Sequence, residues 1–578
     1  MKKHIKLVFL MFFILIFASC SKLNNVAEIS EKDKILNAEE AKKREFARKA
    51  FTYRKDKNLD TLTFGLLGED GNYNPFYFQT ESDEKVVSFL FRKLFYIEMD
   101  GLDRKIIPVL AEKVEISDDL RTYSIKLNKN AKWQDGKPIK ARDLSYTLET
   151  ILNSDKANLC MDFKKYGKFD FEIVDDYNFI INLKEPSYSF LFDLEKIYMV
   201  PKHIFKLEKD KKYNFDNINE LVGSSPYKVK KAYLHEKYHT KTIELSYIGQ
   251  EKTDIKTIIL RYSLNKLTNR FDLEDYNMNF GIVDQNGGRH FIANEIYNVK
   301  IFREGYDAYF LFKLKSKNNQ DPVFRKGVGE YIYSVLVPNH YGLTDFVKKS
   351  DSVFSPTTMY YRPTIQFNKT IFDKEIEYIR KKIVTQNYNP VSFAFYALKG
   401  SREEGIAISL EEAFRSSNIE FNLKPLFLDE HIEAIKNKDA DDFDFTIFEN
   451  KTTKSPYDFV KFYREDLLAL SGEGNEEVVS MFEEADRETD PIKRDNLFSK
   501  LQEKLIDLCY IYPYVNVGSQ MIVDERLDIS EAIPKFDSYV LLPEKIKVIE
   551  KDYNLDDYNF TEKDLLKDKH DSKNIKRK

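Results

Sequence analysis

The stretch that decides the fold is residues 98–152, EMDGLDRKIIPVLAEKVEISDDLRTYSIKLNKNAKWQDGKPIKARDLSYTLETIL. Leu120–Leu127 alternates apolar and polar residues with the period of two that is typical of a strand. Ser117–Asp119 precedes it and favours a turn, because Ser and Asp side chains bond their own backbone two residues on. Asp135-Gly136 is a strong hairpin dipeptide, since glycine tolerates a positive φ. Ala141–Leu152 is predicted as a helix, with an acid in its first turn.

Outside this stretch, strands and helices continue to alternate. Leu59–Leu67, Ile258–Leu264 and Ala308–Leu314 are predicted strands, and Lys230–Ser246 reads as a β-hairpin. Asn475–Leu508 predicts two helices separated by Asp490-Pro491, with the proline placed to begin the second helix. The pattern therefore predicts an α/β body. Its 559 residues after position 19 exceed what one hydrophobic core supports, so we expect two or more lobes.

The first twenty residues have the pattern of a lipoprotein signal peptide. Lys2, Lys3 and Lys6 form a positive region, and an apolar run from Leu7 to Phe17 follows that is too short to span a bilayer. Ala18-Ser19-Cys20 ends the run, so we expect residues 1–19 to be removed and Cys20 to carry acyl chains as a membrane anchor. Phe17 stands where the lipoprotein pattern prefers Leu, and the alternative is an ordinary cleaved signal followed by an accidental Cys.

Both ends of the remaining chain are rich in charge. Residues 20–58 are interpreted as a tether, and residues 551–578 as a frayed, charged tail. The formal net charge of the whole chain is −4, which gives no basic surface for nucleic acid. Besides Cys20, the chain has Cys160 and Cys509, which either pair in an oxidising compartment or remain buried free thiols.

A long ordered series of residues resembles the bacterial extracellular solute-binding proteins of family 5, which serve ABC importers of oligopeptides, dipeptides and nickel. Within 98–152 the matching segments are Asp100-Gly101, Pro108–Glu112, Ser117–Asp119, Thr122-Tyr123, Trp133–Pro138 and Ala141–Leu144. The resemblance continues over about residues 59–550, at Val200–His203, Gly223–Tyr227, Pro322–Arg325, Asp442–Asp444, Ala485–Arg487, Asp490–Arg494 and Ile511–Tyr514.

The resemblance implies a two-lobed periplasmic-binding-protein fold of class II type, with an extra subdomain inserted in the first lobe. We expect residues 59–305 and 516–550 to form the first lobe, the insertion to cover about 78–190, and 306–515 to form the second lobe. Two crossing strands would join the lobes, and a ligand that contacts both would draw them together by hinge closure. Trp133 is expected to pack within the fold, rather than to stack on a ligand.

The ligand site is expected where the two lobes face each other. From the first lobe the resemblance implies Tyr73, Asn74, Phe76 and Tyr77, and from a loop of the second lobe it implies Glu449, Asn450 and Lys451. That loop departs from the pattern of peptide binders, which carry there a Trp and often an acid for the peptide's amino terminus. Lys451 and Lys454 stand in this loop instead, so we expect acidic or amino-blocked peptides to be favoured. The alternative is that both lysines point to solvent and Glu449 takes the amino group.

The resemblance implies an oligopeptide or other small ligand, the permease subunits of an ABC importer as partner, a monomer, and no cofactor. The sequence has no P-loop, G-x-S-x-G or H-E-x-x-H motif, so we expect that the protein is not an enzyme. His235 and His239 are four residues apart, but on a hairpin they are interpreted as exposed side chains and not as metal ligands. A surface lipoprotein with an adhesion or sensing role, and a binder of another cargo such as a nickel chelate, remain as alternatives.

Overall fold

The computed structural model describes residues 59–549, apart from 101–102, 209, 237–239, 264–271, 275–276, 284–290, 292–296, 341–346, 365–376, 379–380, 382–389, 398–401, 418, 437–442, 452, 464–474 and 534–540. One compact unit comprises Asp60–Phe271 and Met278–Val548. Of the other unit the structure describes Leu59, residues 272–274, Asn277 and Ile549, and residues 272–274 form a helical turn. The predicted signal peptide, Cys20, the tether and the tail lie outside the described residues.

Helices and strands alternate along the described chain, which confirms the predicted α/β class. The helices are α1 (Glu81–Leu90), α2 (Ala141–Leu152), α3 (Cys160–Lys164), α4 (Phe190–Glu195), α5 (Lys202–Glu208), α6 (Pro322–His340), α7 (Arg402–Ser416), α8 (Leu428–Lys436), α9 (Asn475–Arg487) and α10 (Pro491–Leu508). The strands are β1 (Thr61–Leu67), β2 (Phe95–Asp100), β3 (Asp103–Pro108), β4 (Ala111–Ile116), β5 (Thr122–Leu127), β6 (Asp170–Ile173), β7 (Asn178–Asn182), β8 (Tyr227–Leu234), β9 (Lys241–Tyr247), β10 (Thr257–Ser263), β11 (Phe280–Val283), β12 (Tyr297–Phe312), β13 (Val347–Lys349), β14 (Val391–Tyr396), β15 (Phe421–Leu426), β16 (Phe445–Lys451), β17 (Ile511–Asp524), β18 (Leu527–Asp528) and β19 (Lys547–Val548).

A mixed sheet in the order β15-β14-β16-β12-β17-β11-β1-β10-β9-β8 runs through the body. β1 is parallel to β10, and β14 is parallel to both β15 and β16, whereas β12 and β17 are antiparallel to each other. The five central residues of β1 are buried, as expected for an apolar strand that is covered on both faces. The long strands β12 and β17 connect the two halves of this sheet.

Residues 111–182 add a second, antiparallel sheet in the order β4-β5-β7-β6. The predicted alternation in β5 is confirmed, because Tyr123, Ile125 and Leu127 are all buried. Ser117 donates its hydroxyl to Asp119 Oδ1 in the predicted turn before this strand. α2 has the predicted bounds and presents its apolar face to the core.

The Trp133–Pro138 segment is structural. The Trp133 side chain is buried, and its indole N–H donates to Asp143 Oδ2 over 3.3 Å, which confirms the packing role. Gly136 adopts φ +86°, the conformation that favours glycine in this turn. Gln134 fixes the neighbouring 223–227 segment, accepting from Gly223 N at 3.0 Å and donating to Tyr227 O at 2.7 Å. Two of the matching sequence segments therefore contact each other.

The late helix pair α9 and α10 also has the predicted form. Asp490 caps α10 by accepting from the backbone N–H groups of Ile492 and Lys493, and Pro491 is the first helical residue. Cys509 follows α10 in the left-handed conformation and is a buried free thiol, so it does not pair with Cys160. Burial raises the pKa of Cys509 to about 12, which makes the thiol unreactive at neutral pH.

Candidate functional site

A cavity of about 480 Å³ opens at the carboxyl end of β1, and we call it the central cavity. This volume falls in the range of about 300–1,000 Å³ that is usual for small-molecule sites. Four segments form its walls: the end of β1, the start of α1, the end of α4 with the residues after it, and the end of β16 with the residues after it. The lining residues are Phe64, Gly65, Leu66, Leu67, Thr80, Glu81, Ser82, Glu84, Lys85, Ser88, Phe192, Glu195, Lys196, Tyr198, Lys451, Thr453, Lys454, Ser455 and Asp458, with Lys93, Ile282 and Thr357. Segments that are far apart in the sequence thus line one cavity with the volume of a small-molecule binding site.

The first wall is the junction of β1 and α1. Ser82 donates its hydroxyl to Leu67 O at 2.6 Å and accepts from Leu67 N at 3.0 Å, which fixes the helix start to the strand end. Thr80 and Asp83 form a capping box, and Asp83 also accepts from Gly71 N at 2.9 Å. Asp83 is therefore occupied by the backbone, whereas Glu81 and Glu84 of the same turn line the cavity.

The opposite wall is the segment that follows β16. Thr453 O accepts from the Thr358 hydroxyl at 2.7 Å, and Lys454 O accepts from Met359 N at 2.9 Å. These bonds fix the backbone that carries Lys451 and Lys454. Both lysines line the cavity.

Lys454 forms a largely buried ion pair with Glu195. Its Nζ lies 2.9 Å from Glu195 Oε1, and the two side chains are only 12% and 8% exposed. The same ammonium donates to Ile97 O at 3.0 Å, while Glu195 Oε1 accepts from Ile97 N at 2.7 Å. Because both charges are compensated, Lys454 does not present a bare positive charge to a ligand.

A second charge cluster lies where α4 meets residue 458. Lys196 Nζ is 2.8 Å from both Asp193 Oδ1 and Asp458 Oδ1, and Lys165 is 2.7 Å from Asp193. Burial alone would raise the pKa of Asp193, but the two lysines outweigh it and hold that pKa far below its ordinary value. Burial would lower the pKa of Lys196, yet the carboxylates of Asp193 and Asp458 hold it well above its usual range.

The carboxylates of Asp162, Asp193 and Asp458 lie within 4.8 Å of one another, the spacing that a cation site needs. Lys165 and Lys196 already bind the last two of them. With two ammonium groups in place, the arrangement is an ion-pair cluster that would repel a metal ion.

Four further charged side chains at the cavity are held less tightly. Lys451 Nζ lies 3.8 Å from Glu84 Oε2, and each side chain is 35% exposed. Glu81 accepts a hydrogen bond from the Tyr306 hydroxyl. The ammonium of Lys93 lies 5.3 Å from the ring centre of Tyr198 and 5.9 Å from that of Tyr96.

None of the four expected first-lobe residues lines this cavity. Tyr73, Asn74 and Phe76 are buried in the core, where the Tyr73 hydroxyl is 2.7 Å from that of Tyr262. Asn74 donates to Lys211 O at 2.9 Å, and Tyr77 donates to Asp210 Oδ1 at 2.8 Å.

From the second-lobe loop, Lys451 lines the central cavity, and Asn450 lines a small neighbouring recess. Glu449 is exposed on β16, opposite Ala308 of β12. His235 follows β8, and His239 lies outside the described residues, so their spacing as a pair stays untested.

Sequence reasoning missed Glu84, Lys93 and Glu195. Each comes from a different segment, and none stands in a motif that indicates a ligand. The sequence did contain the capping pattern Thr80-Glu81-Ser82-Asp83, which predicts the helix start but not its position beside a cavity.

Comparison with known proteins gives the fold and the family. The substrate-binding protein CtaP of Listeria monocytogenes superposes with a TM-score of 0.73 at 20% identity, covering 86% of this chain and all of CtaP. The oligopeptide-binding protein AppA of Bacillus subtilis, solved with a nonapeptide, gives a TM-score of 0.64 at 18% identity, covering 85% of this chain and 99% of AppA. The fold is thus the expected two-lobed periplasmic-binding-protein fold.

The sequence model for bacterial extracellular solute-binding proteins, family 5 middle, matches residues 105–467, and the chain belongs to this family. A Brucella ovis protein, assigned as a peptide-binding protein of an ABC transporter, is 28% identical over 241 residues. That match covers 41% of this chain and 44% of the relative, so the chain spans less than half of the relative's length. No helix among the described residues has the length and apolar character needed to cross a bilayer.

Proposed function

We propose that this protein captures short peptides in the central cavity and delivers them to an ABC importer. The observation that carries the proposal is the composition of the cavity wall. It combines residues 64–88 and 192–198, which we expect in the first lobe, with residues 451–458, which we expect in the second. A solute held there would contact both lobes at once and favour the state in which they are together.

The peptide cargo is supported by the family and by the polar lining of the cavity. The lining combines carboxylates and ammonium groups with apolar residues that include Phe64, Leu66 and Ile282. Peptide ligands need such a mixture, because their two ends are charged and their side chains are often apolar. A cavity of about 480 Å³ favours short peptides, since nine extended residues would span roughly 30 Å.

The remaining parts of the proposal follow from the same role. The chain acts as an exported monomer anchored to the cell envelope through acylated Cys20, and the importer's permease subunits are its partner. It needs no cofactor and catalyses no reaction.

A nickel chelate is a weaker candidate cargo. Imidazole and thiolate groups are the ligands that nickel-type metals favour, and the described residues that line the cavity include neither His nor Cys. A protein with an adhesion or sensing role would carry no cargo in the cavity. This role is therefore favoured if the protein binds no solute.

The proposal is tested by mass spectrometry of the solute released when the purified protein is denatured, followed by calorimetry with the solute found. Recovery of peptides of a few residues that rebind with micromolar or tighter affinity supports the role. A protein that carries no solute and binds no member of a di- and tripeptide library contradicts it.

A further inference from the structure

We propose that the central cavity has two charged poles and selects short zwitterionic peptides, with the peptide ammonium on Glu84 and its carboxylate on Lys93. The inference rests on the proposed function and assigns its specificity. It also moves recognition of the amino terminus away from the 449–456 loop, where Lys451 and Lys454 replace the expected acid.

The acidic pole is the first turn of α1. A helix start alone favours an anion, but here it carries Glu81, Asp83 and Glu84, so the local charge is negative. Asp83 is occupied by the capping box and by Gly71 N. Glu84 is 35% exposed and lies 3.8 Å from Lys451, which is too long for a hydrogen bond. A ligand ammonium at about 2.8 Å would therefore interact with Glu84 more strongly than Lys451 does.

The basic pole is Lys93. Lys196 and Lys454 are held at 2.8–2.9 Å by carboxylates, and Lys451 lies 3.8 Å from Glu84. Within the described part of the chain, Lys93 has no carboxylate within 4.0 Å, and its ammonium lies over the rings of Tyr198 and Tyr96. Aromatic faces hold a cation without neutralising it. Lys93 is thus able to bind a ligand carboxylate without first breaking an ion pair.

The spacing of the poles suits a short peptide. From Glu84 to Leu90, the last residue of α1, six helical steps at about 1.5 Å cover roughly 9 Å, and Lys93 lies beyond the helix end. An extended peptide spans about 3.3–3.6 Å per residue, so roughly three residues bridge this distance.

The test is calorimetry on the full chain with the tightest-binding member of a tripeptide library and its N-acetylated and C-amidated twins. The variants are Glu84→Gln and Lys93→Met, with Glu112→Gln and Lys113→Met as matched controls on exposed positions outside the cavity. Wild-type protein and both controls should bind each blocked twin about tenfold to a hundredfold more weakly than the free peptide, because a charge-assisted bond is lost. In Glu84→Gln the acetylated twin should bind as well as the free peptide, and in Lys93→Met the amidated twin should do so.

Two results overturn the inference alone. In the first, the affinity of each blocked peptide relative to the free peptide is the same in the two variants as in the wild-type protein. In the second, the wild-type protein binds the N-acetylated peptide more tightly than the free peptide. The second result is the one that the lysine-bearing loop would favour. A wild-type protein that binds no peptide overturns the proposed function together with the inference. Thermal unfolding of each variant verifies that the substitution leaves the fold intact.

Discussion

Lys454→Met should destabilise the protein far more than its position in a loop suggests. The substitution removes the partner of Glu195, whose side chain is 8% exposed, and leaves its carboxylate in a site that water reaches poorly. The methionine side chain keeps most of the apolar stem of the lysine, so packing changes little. The change therefore isolates the electrostatic role of the pair.

The magnitude follows from burial and from the bonds that remain. Removing one member of a buried ion pair costs about 3–5 kcal/mol, because the other charge stays buried and uncompensated. Glu195 keeps the Ile97 N–H as a donor at 2.7 Å, and the pair lies at a cavity wall. We therefore expect the lower end, about 3 kcal/mol. The slope in urea grows with the surface exposed on unfolding and should exceed the value of about 3 kcal/mol per molar of small proteins, so the unfolding midpoint should fall by at most about 1 M.

The assay is urea unfolding followed by circular dichroism, with two matched variants. Glu195→Gln combined with Lys454→Met should recover most of the loss, since a neutral amide can still accept from Ile97 N. Lys113→Met breaks an exposed pair with Glu115, whose side chains are 61% and 62% exposed, and should not move the midpoint. If Lys454→Met behaves like Lys113→Met, or if the double variant is as unstable as the single one, the reasoning is wrong.

The other predictions concern pH, affinity and anchoring. Burial raises the pKa of Asp307 to about 7 despite a hydrogen bond from Asn516, so the folded carboxyl keeps its proton to a higher pH than the unfolded chain, whose value is near 3.8. Stability should accordingly fall by roughly 4 kcal/mol as pH rises from about 4 to 7, and urea midpoints of Asp307→Asn should lack this fall. Lys451→Ala should raise the affinity for free-amine peptides up to about fivefold in calorimetry, because a surface-type pair with Glu84 is worth about 0–1 kcal/mol. Cys20→Ala should abolish partitioning into detergent, and unchanged partitioning with normal processing would exclude the lipid anchor.

Local elements were predictable because their signals are local. The helix Ala141–Leu152 and the pair of helices around Asp490-Pro491 have the predicted bounds, since an apolar period and a cap fix both ends within a few residues. The predicted strand Ala308–Leu314 is instead the end of a longer one, Tyr297–Phe312. The residues of this strand before Ala308 pair with β17, which lies more than two hundred residues later in the chain. A local sequence pattern does not indicate such a distant partner.

The site was less predictable for the same physical reason. Lys451 is expected at the ligand by resemblance, and in the structure it lines the central cavity. Glu84, Lys93 and Glu195 come together only through the packing of α1, the chain after it and α4. Lys454 was treated as a bare charge, since the sequence gives no indication that Glu195, 259 positions earlier, lies 2.9 Å from it.

If the proposed cleft closes by the hinge motion expected above, contacts within the protein itself would stabilise the closed state in addition to a ligand. The Tyr188 ring lies between the guanidinium groups of Arg104 and Arg494, at 3.6 and 3.9 Å from its centre. Ser189 N donates to Asp486 Oδ1 at 2.7 Å, so the segment before α4 is bound to α9 and α10. By the expected boundaries these contacts link the first lobe to the second, as the Glu195 pair does. In the proposed closure, a ligand would need to supply only the remaining difference in free energy between the open and closed states, so that weak or varied peptides could select the closed state. Substitutions that remove these contacts should therefore reduce the affinity for all peptides equally, in contrast to substitutions of residues that line the cavity.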